Sequence, residues 1–134
     1  MKIRIKIVAN DVSTVAKVVI IDNKDRVLFL KRSNYVDKFA GEWDLPGGHL
    51  KGNETLFAGL EREVEEETGL SISEPNLIGT DNNLHFFYCN YDSQPVKISH
   101  EHTEYRFFDK KELDSKQKFQ KMAIKALEMK NDKD

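Results

Sequence analysis

Three glutamates, at positions 63, 66 and 67, have the spacing that says most about chemistry. Residues three and four positions apart share one face of an α-helix, so Glu63, Glu66 and Glu67 would place three carboxylates within a single turn. Like charges at this spacing repel each other, at a cost of roughly a few tenths of a kcal/mol per pair. A hard divalent cation that prefers oxygen ligands, Mg²⁺ or Mn²⁺, would relieve that repulsion.

A solvated acidic surface is the ordinary explanation of a glutamate-rich helix, but two neighbouring features argue against it here. The loop Pro46-Gly47-Gly48 contains glycines that let backbone groups approach a metal ion or a phosphate closely. Arg62 adjoins Glu63 and lies four residues before Glu66, so its guanidinium can orient a carboxylate. The segment therefore predicts a metal-binding helix, preceded by a glycine loop whose backbone comes close to the metal ion or phosphate.

The pattern from Gly48 to Leu70 resembles the Nudix box, the signature of the Nudix hydrolase family. Every fixed position of the box is filled, by Gly48, Glu54, Arg62, Glu63, Val64, Glu66, Glu67, Gly69 and Leu70. With average residue frequencies, a chance match in a chain of this length has a probability on the order of 10⁻⁷. The resemblance implies an α/β (α+β) fold, with a mixed β-sheet sandwiched between helices in one domain over residues 1–134.

The resemblance also implies a set of roles for the box. Its loop, helix and second loop would bind Mg²⁺, with Mn²⁺ as an alternative. The implied metal ligands are the carbonyl of Gly47 and the carboxylates of Glu63, Glu66 and Glu67. Arg62 would hold the glutamates in place, and Glu54 would form a salt bridge or brace the loop.

A further acidic residue of the family often comes from a later loop, where Glu101 and Glu104 are the candidates. Glu101 is favoured as a metal ligand and catalytic residue, because it stands six residues before the aromatic Phe107. The metal ion would position a water for in-line attack on phosphorus, and a carboxylate would take the proton. Glu66, Glu67 and Glu101 all remain candidates for that proton acceptor.

Three residues outside the acidic turn are predicted to bind the substrate. Arg32 ends a predicted strand and would contact a phosphate, unless it is simply an exposed arginine. Gly48 would approach the substrate through its backbone. Tyr88 lies eighteen residues past the box, near a tyrosine of relatives that hydrolyse diadenosine polyphosphates. It also lies in an aromatic run, which favours a structural role.

The leading prediction for the substrate is a nucleoside triphosphate, including an oxidised one, cleaved to a monophosphate and pyrophosphate. A dinucleoside polyphosphate is one alternative, and ADP-ribose or a nucleotide sugar is another. Relatives that hydrolyse ADP-ribose often have a proline at a position where this chain has His85. This difference counts against the ADP-ribose alternative. A third class, the nucleotide-binding regulatory module without catalysis, typically loses box glutamates that this chain retains.

The overall charge narrows the expected partners. A net charge of −2 gives no general attraction to nucleic acid or to anionic membranes. We expect a nucleotide or nucleotide-derivative ligand, no membrane, no stable nucleic-acid partner, and a monomer or homodimer. The lone Cys89 cannot form an intrachain disulfide and is predicted to be a buried structural thiol. With a charged N-terminus that resembles no signal peptide, this favours the cytoplasm.

Hydrophobic periodicity predicts the elements that must position these residues. A first strand is expected at residues 3–7, followed by a hairpin of residues 15–21 and 27–30 and a loop to Trp43. The box helix would run from Thr55 to Thr68, with Asn53 as its N-cap and Gly69 as its stop. Further strands are expected at 76–80, 84–89, 96–99 and 107–108, and a C-terminal helix at about 111–129.

Overall fold

The computed structural model describes residues 14–34 and 40–132, so the strand predicted at residues 3–7 lies outside the described residues. A mixed sheet of seven strands is flanked by two α-helices. The strands are β1 (Val15–Ile21), β2 (Val27–Arg32), β3 (Trp43–Asp44), β4 (Gly47–His49), β5 (Asn76–Asp81), β6 (Leu84–Asn90) and β7 (His102–Phe108). The helices are α1 (Leu56–Thr68) and α2 (Lys118–Asp132), with a 3₁₀ turn at Lys110–Glu112.

Side chains of β1 alternate between two hydrophobic cores, as the period of a strand requires. Ala16, Val18 and Ile20 belong to the core that includes Leu60 and Val64 of α1. Val19 and Ile21 belong to the opposite core, which includes Ala123, Ala126 and Leu127 of α2. The prediction of a mixed sheet sandwiched between helices in a single domain is therefore confirmed.

The hairpin of β1 and β2 opens immediately after its turn. The two strands are paired at Ile21 and Val27. Beyond that point β1 pairs with β4 and, in parallel, with β6, while β2 pairs with β3 and β7. Residues 43–49 cross the resulting gap from β2 to β1, so the glycine loop reaches the middle of the sheet.

The N-cap of α1 differs from the prediction by two residues, while the helix itself starts one residue later than predicted. The N-cap is Thr55, whose hydroxyl accepts a hydrogen bond from the amide of Ala58 at 3.2 Å, and not Asn53. Gly69 ends the helix in a left-handed conformation and donates its amide to the carbonyl of Glu65, as predicted. The prediction of Asn53 was wrong because Thr55, two residues nearer the helix, also has a side-chain oxygen that can accept the free amide of the first turn.

The strand predicted at Val96–Ser99 is wrong. Its backbone amides bond to the end of α1, where Lys97 donates to the carbonyl of Thr68 and Ser99 to that of Glu67. The last carbonyls of a helix lack partners within the helix, so an extended segment can satisfy them without joining a sheet. This contact brings the chain back toward the acidic turn just before Glu101.

The C-terminal helix begins at Lys118 and not near Lys111. Residues 110–112 form a separate 3₁₀ turn, and Leu113 then adopts extended backbone angles (φ −84°, ψ 132°) that interrupt the helix.

Only the last two residues of β7, 107–108, were predicted as a strand, whereas the strand starts at His102. Its first part was missed because the exposed middle of the strand carries no hydrophobic alternation. Over the described parts of the chain, no helix has the length and apolar content needed to span a bilayer.

Candidate active site

The glycine loop and the acidic turn of α1 are joined by a direct hydrogen bond. The amide of Gly47 donates to Oε1 of Glu67 at 2.8 Å. Gly47 has a φ of +126°, and a Cβ atom there would overlap the carbonyl oxygen of Ala16. Glycine at this position therefore lets the loop cross β1 closely enough to meet the helix.

Arg62 connects the acidic side chains of the box to each other. Its Nε and Nη2 atoms donate to the two carboxylate oxygens of Glu54 at 2.6 and 2.9 Å. Its Nη1 atom donates to Glu63 and to Glu66, each at 3.1 Å, and Nη2 also reaches the carbonyl of His49. One guanidinium thus holds three carboxylates and the loop, through the forked geometry that only arginine offers.

The pKa values of the box glutamates shift in opposite directions, downward where Arg62 dominates and upward where burial dominates. The bidentate contact with Arg62 lowers the pKa of Glu54 to about 2. Burial raises the pKa of Glu63 despite its contact with the same guanidinium. Burial raises the pKa of Glu67 to about 8, although Lys17 and the Gly47 amide act in the opposite direction. Without a bound cation, Glu67 therefore carries a proton near neutral pH.

Gly47, Glu63, Glu66 and Glu67 line a cleft of about 760 Å³, a size typical of sites for small molecules. Its walls come from the β1–β4 edge, α1, the β5–β6 turn and the start of α2. The acidic residues that line it are Glu42, Asp44, Glu63, Glu66, Glu67, Asp81 and Glu101. The lysines and arginines are Lys17, Arg32 and Lys118. Seven carboxylates against three cationic side chains leave the cleft with an excess of acidic groups.

The donor set suits a hard divalent cation in its chemistry, because carboxylate and carbonyl oxygens are the ligands that such ions prefer. The side chains are not gathered around one point: Arg62 holds Glu63 and Glu66, and the Gly47 amide holds Glu67. Within residues 14–34 and 40–132, no three Asp, Glu, His or Cys side chains converge as a ready-made metal site. The side chain of Glu66 is 55% exposed, so turning toward a cation would require it to give up only an exposed contact with Arg62.

Comparison with known proteins identifies the family. The model of the NUDIX domain matches residues 12–128 of this chain. The chain belongs to the Nudix hydrolase family. Nudix hydrolases generally use a divalent metal ion, in agreement with the oxygen donors of the acidic turn.

A solved structure and two curated relatives show how this Nudix chain compares. The MutT protein from Methanosarcina mazei is 28% identical and superposes with a TM-score of 0.71, covering 88% of this chain and 94% of that one. An ADP-ribose pyrophosphatase from Methanocaldococcus jannaschii is 38% identical over 60 residues, which are 45% of this chain and 34% of the relative. An 8-oxo-dGTP diphosphatase from Proteus vulgaris is 35% identical over 61 residues, 46% of this chain and 54% of the relative. The matches thus span between about a third and about half of these curated relatives.

The structure brings most of the predicted Nudix site residues to the cleft. Gly47, Gly48 and the three glutamates line it, and a Cβ atom at Gly48 would lie 2.6 Å from Glu63 Oε2. Arg32 also lines it, half-buried, with Nη1 at 3.4 Å from Asp44 Oδ2. Glu101 lies at the cleft whereas Glu104 does not, which supports the preference for Glu101.

Tyr88 does not lie in the Nudix cleft, contrary to the prediction that it binds substrate. Its side chain is 5% exposed and belongs to the core between β6 and α2. The alternation along β6 turns Tyr88 into this core with Phe86. Counting residues from the box could not reveal which face of the strand the ring would occupy.

Cys89 belongs to the opposite core, on the α1 side of the sheet, and is 3% exposed. Burial raises the pKa of its thiol to about 12, so the sulfur stays protonated and unreactive at neutral pH. The prediction of a buried structural thiol is confirmed.

Lys17 and Asp44 are among the cleft residues that sequence reasoning missed. The Nζ atom of Lys17 donates to Asp44 Oδ2 at 3.1 Å and to the carbonyls of Leu45 and Gly47 at 3.2 Å. The signal was present in the sequence VAKVVII, because a lysine inside a buried strand requires an anionic partner. Nothing in the sequence named Asp44 as that partner, since the pair is 27 residues apart.

Proposed function

We propose that the protein is a Mg²⁺-dependent pyrophosphohydrolase that cleaves a nucleoside triphosphate, including one with an oxidised base, to a monophosphate and pyrophosphate. The observation that carries the proposal is the acidic turn of α1, with Glu63, Glu66 and Glu67 facing the cleft beside the glycine loop. Mn²⁺ would serve in the same place, since it has similar ligand preferences.

The charge of the cleft supports a metal-dependent reaction on a polyphosphate. Seven acidic side chains, of which Glu67 keeps its proton until a cation binds, would repel an anionic substrate, and three cationic side chains do not compensate for them. Of these cations, Lys17 and Arg32 are engaged with Asp44, and Lys118 is paired with Asp81 at 2.6 Å. A polyphosphate is therefore expected to bind here together with cations that neutralise both its own charge and the charge of the acidic side chains.

The residues divide the work of such a site between them. The metal ion would be held by the carbonyl of Gly47 and the carboxylates of Glu63, Glu66 and Glu67. Arg62 orients two of these carboxylates, because its Nη1 atom donates hydrogen bonds to Glu63 and Glu66. When bound, a divalent cation neutralises phosphate charge and lowers the pKa of a coordinated water.

Glu101 is the proton acceptor that we favour. Glu66 is bound by Arg62 and Glu67 by the Gly47 amide. By contrast, among the parts of the chain that the structure describes, no group donates a hydrogen bond to the carboxylate of Glu101. It comes from the segment after β6, on a different element from the metal ligands, and lines the same cleft.

The relatives support a nucleotide as the substrate class. One is named for 8-oxo-dGTP and another for ADP-ribose, so the class is shared although the nucleotides differ. The complete set of box glutamates favours a catalytic role, and the small single-domain architecture favours the triphosphate. A cytoplasmic location remains a prediction from the single cysteine.

The deciding experiment is hydrolysis of a nucleotide panel with Mg²⁺, with the products identified by mass. The panel contains the common and 8-oxo triphosphates, diadenosine polyphosphates, ADP-ribose and a nucleotide sugar. We expect monophosphate and pyrophosphate from a triphosphate, abolished by EDTA and restored by Mg²⁺ or Mn²⁺. Hydrolysis of ADP-ribose alone would replace the proposed substrate, and release from no member would contradict a catalytic role.

The variant Glu66→Gln tests whether the acidic turn is responsible, and Glu65→Gln is its matched control. Glu65 is the adjacent exposed glutamate of α1 and does not line the cleft. We expect a large loss of turnover in the first variant and wild-type turnover in the second.

A further inference from the structure

The ammonium group of Lys17 lies in the wall of the cleft, among oxygen atoms. It donates to Oδ2 of Asp44 at 3.1 Å and to the backbone carbonyls of Leu45 and Gly47, each at 3.2 Å. The centre of the Phe119 ring lies 5.7 Å from Nζ, close enough for the ring to attract a cation. The side chain is only 9% exposed. Each of the three N–H groups of this ammonium thus has an oxygen partner.

These surroundings are those of a bound cation and not those of a surface lysine. A carboxylate, two backbone carbonyls and an aromatic ring direct their negative charge at one point. Carboxylates and backbone carbonyls are also the ligands that proteins offer to hard metal ions. The chain therefore builds a position for a cation beside the glycine loop and fills it with its own side chain.

The oxygens at this position need a positive partner. Asp44 is 5% exposed, and a buried carboxylate that loses its cationic partner is strongly destabilising. Arg32 reaches the same Oδ2 atom, but at the longer distance of 3.4 Å. Removal of Lys17 would leave Asp44 with this weaker contact and would take a donor from both carbonyls. The remaining oxygens would then attract any cation small enough to enter.

The charge of Lys17 also acts on the acidic turn. Burial raises the pKa of Glu63 and of Glu67, and in each case the charge of Lys17 opposes that rise. The two sites meet at Gly47, whose carbonyl accepts from Lys17 and whose amide donates to Glu67. The ammonium therefore neutralises part of the acidic cleft from a fixed point on β1.

We propose that Lys17 is a tethered cation, whose ammonium fills an oxygen-lined position that a free cation of similar size would take in its absence. This position is distinct from the acidic turn of α1, and the carbonyl of Gly47 is the group that connects them. A side chain that is covalently attached needs no ion from solution, so Asp44 is neutralised whatever the salt concentration. The flexible stem and compact charge of lysine suit this role better than the planar guanidinium of arginine.

The test is to remove the ammonium and supply it again from solution. Lys17→Ala leaves space among the oxygens, whereas Lys17→Met loses the same charge but fills the space with an apolar stem. The added cation is methylammonium, which has the same –NH₃⁺ group as the end of the lysine side chain. Sodium chloride and tetramethylammonium chloride at equal ionic strength are the controls, because tetramethylammonium has the charge but no N–H group.

The readout is the melting temperature in EDTA, without nucleotide. We expect methylammonium to raise that of Lys17→Ala by at least about 3 °C more than those of the wild type and Lys17→Met, since a ligand that binds only the folded state stabilises it. The shift should saturate with concentration. It should disappear in Lys17→Ala/Asp44→Asn, which lacks the anionic oxygen that holds the ion.

Several results would overturn the tethered cation. Equal shifts in the three proteins, or an equal effect of tetramethylammonium, would mean that salt acts generally. Lys17→Ala as stable as the wild type without any added cation would mean that Arg32 can replace the ammonium. A shift that persists without the charge of Asp44 would locate the ion elsewhere. Failure of Lys17→Ala to fold in every salt would show that a free cation cannot take this position.

The outcome is separate from that of the proposed hydrolysis, because the measurement contains neither nucleotide nor divalent cation. A protein that hydrolyses no nucleotide but shows the methylammonium shift still has a tethered cation at Lys17. A protein that hydrolyses nucleotides but shows no such shift does not, and its lysine then serves only to pack and pair within β1.

Discussion

Glu67 accepts a 2.8 Å hydrogen bond from the backbone amide of Gly47, so the acidic turn is fastened to the glycine loop through a group that also lines the cleft. Lys17 fastens the same loop to β1 by donating to the carbonyl of Gly47. The peptide groups around Gly47 are therefore held from both sides. This arrangement places a buried carboxylate beside the space that a metal ion and a substrate would share.

Replacement of Glu67 by glutamine should reduce turnover at least about a hundredfold, equivalent to about 2.7 kcal/mol of activation free energy. The glutamine carbonyl can still accept the hydrogen bond from Gly47, so the fold should persist while the negative charge is lost. Turnover and circular dichroism of Glu67→Gln, with Glu65→Gln as the control, provide the check. A turnover near that of the wild type would show that Glu67 is neither ligand nor base.

The stability that Glu67 contributes to the metal-free protein should be lost as the pH rises from about 5 to 8. Burial raises the pKa of Glu67 to about 8 in the folded chain, against 4.5 in the unfolded chain. The folded state therefore binds more protons than the unfolded state between these values. Stability is highest below the unfolded pKa and is lost as the pH passes through the folded one, by up to about 1.4 kcal/mol per pH unit.

Melting temperatures in EDTA measure this effect, with Glu67→Gln as the reference because it cannot titrate at this position. The melting temperature of the variant minus that of the wild type should increase from pH 5 to about pH 8 and then level off. Saturating Mg²⁺ should reduce the increase, since the cation favours the charged carboxylate. A difference that stays constant with pH in EDTA would mean that Glu67 ionises normally in the folded protein.

Mg²⁺ should stabilise the wild type more than the Glu63→Gln variant. A cation that binds only the folded state raises stability in proportion to the logarithm of its concentration over its Kd. Glu63 is largely buried next to Gly48, and burial raises its pKa, so a cation would relieve the cost of its charge. Thermal unfolding over a Mg²⁺ titration, with NaCl at equal ionic strength as the control, measures the two shifts. Equal shifts would remove Glu63 from the ligand set.

The acidic turn could be predicted from the sequence because helical spacing alone determines which side chains share a face. Glu63, Glu66 and Glu67 needed no knowledge of the rest of the fold. The pairing of Lys17 with Asp44 could not be predicted in the same way, because it depends on β1 and β2 separating so that residues 43–49 fit between them. That separation is a property of the whole sheet.

The segment Val96–Ser99 shows the same limit for an element. Its apolar and polar residues alternate like those of a strand, and its backbone is satisfied by hydrogen bonds as a strand would be. The partner is the carboxyl end of α1 and not a neighbouring strand, as the bonds of Lys97 and Ser99 show. Local pattern predicts that such a segment is extended, but the identity of its partner depends on where the chain returns.

Gly59→Ala should destabilise the protein, although alanine is normally favoured over glycine within a helix by about 1 kcal/mol. A Cβ atom at Gly59 would overlap Cγ of Leu50, which is 2% exposed and packed in the α1-side core. The close approach of the glycine loop to α1 therefore requires the missing side chain. Chemical denaturation of Gly59→Ala, Leu50→Ala and the double variant forms a cycle that isolates the contact. We expect the alanine at position 59 to destabilise the wild type but to cost little, or to stabilise, when Leu50 is already alanine. Additive losses in the double variant would show that the overlap does not govern this position.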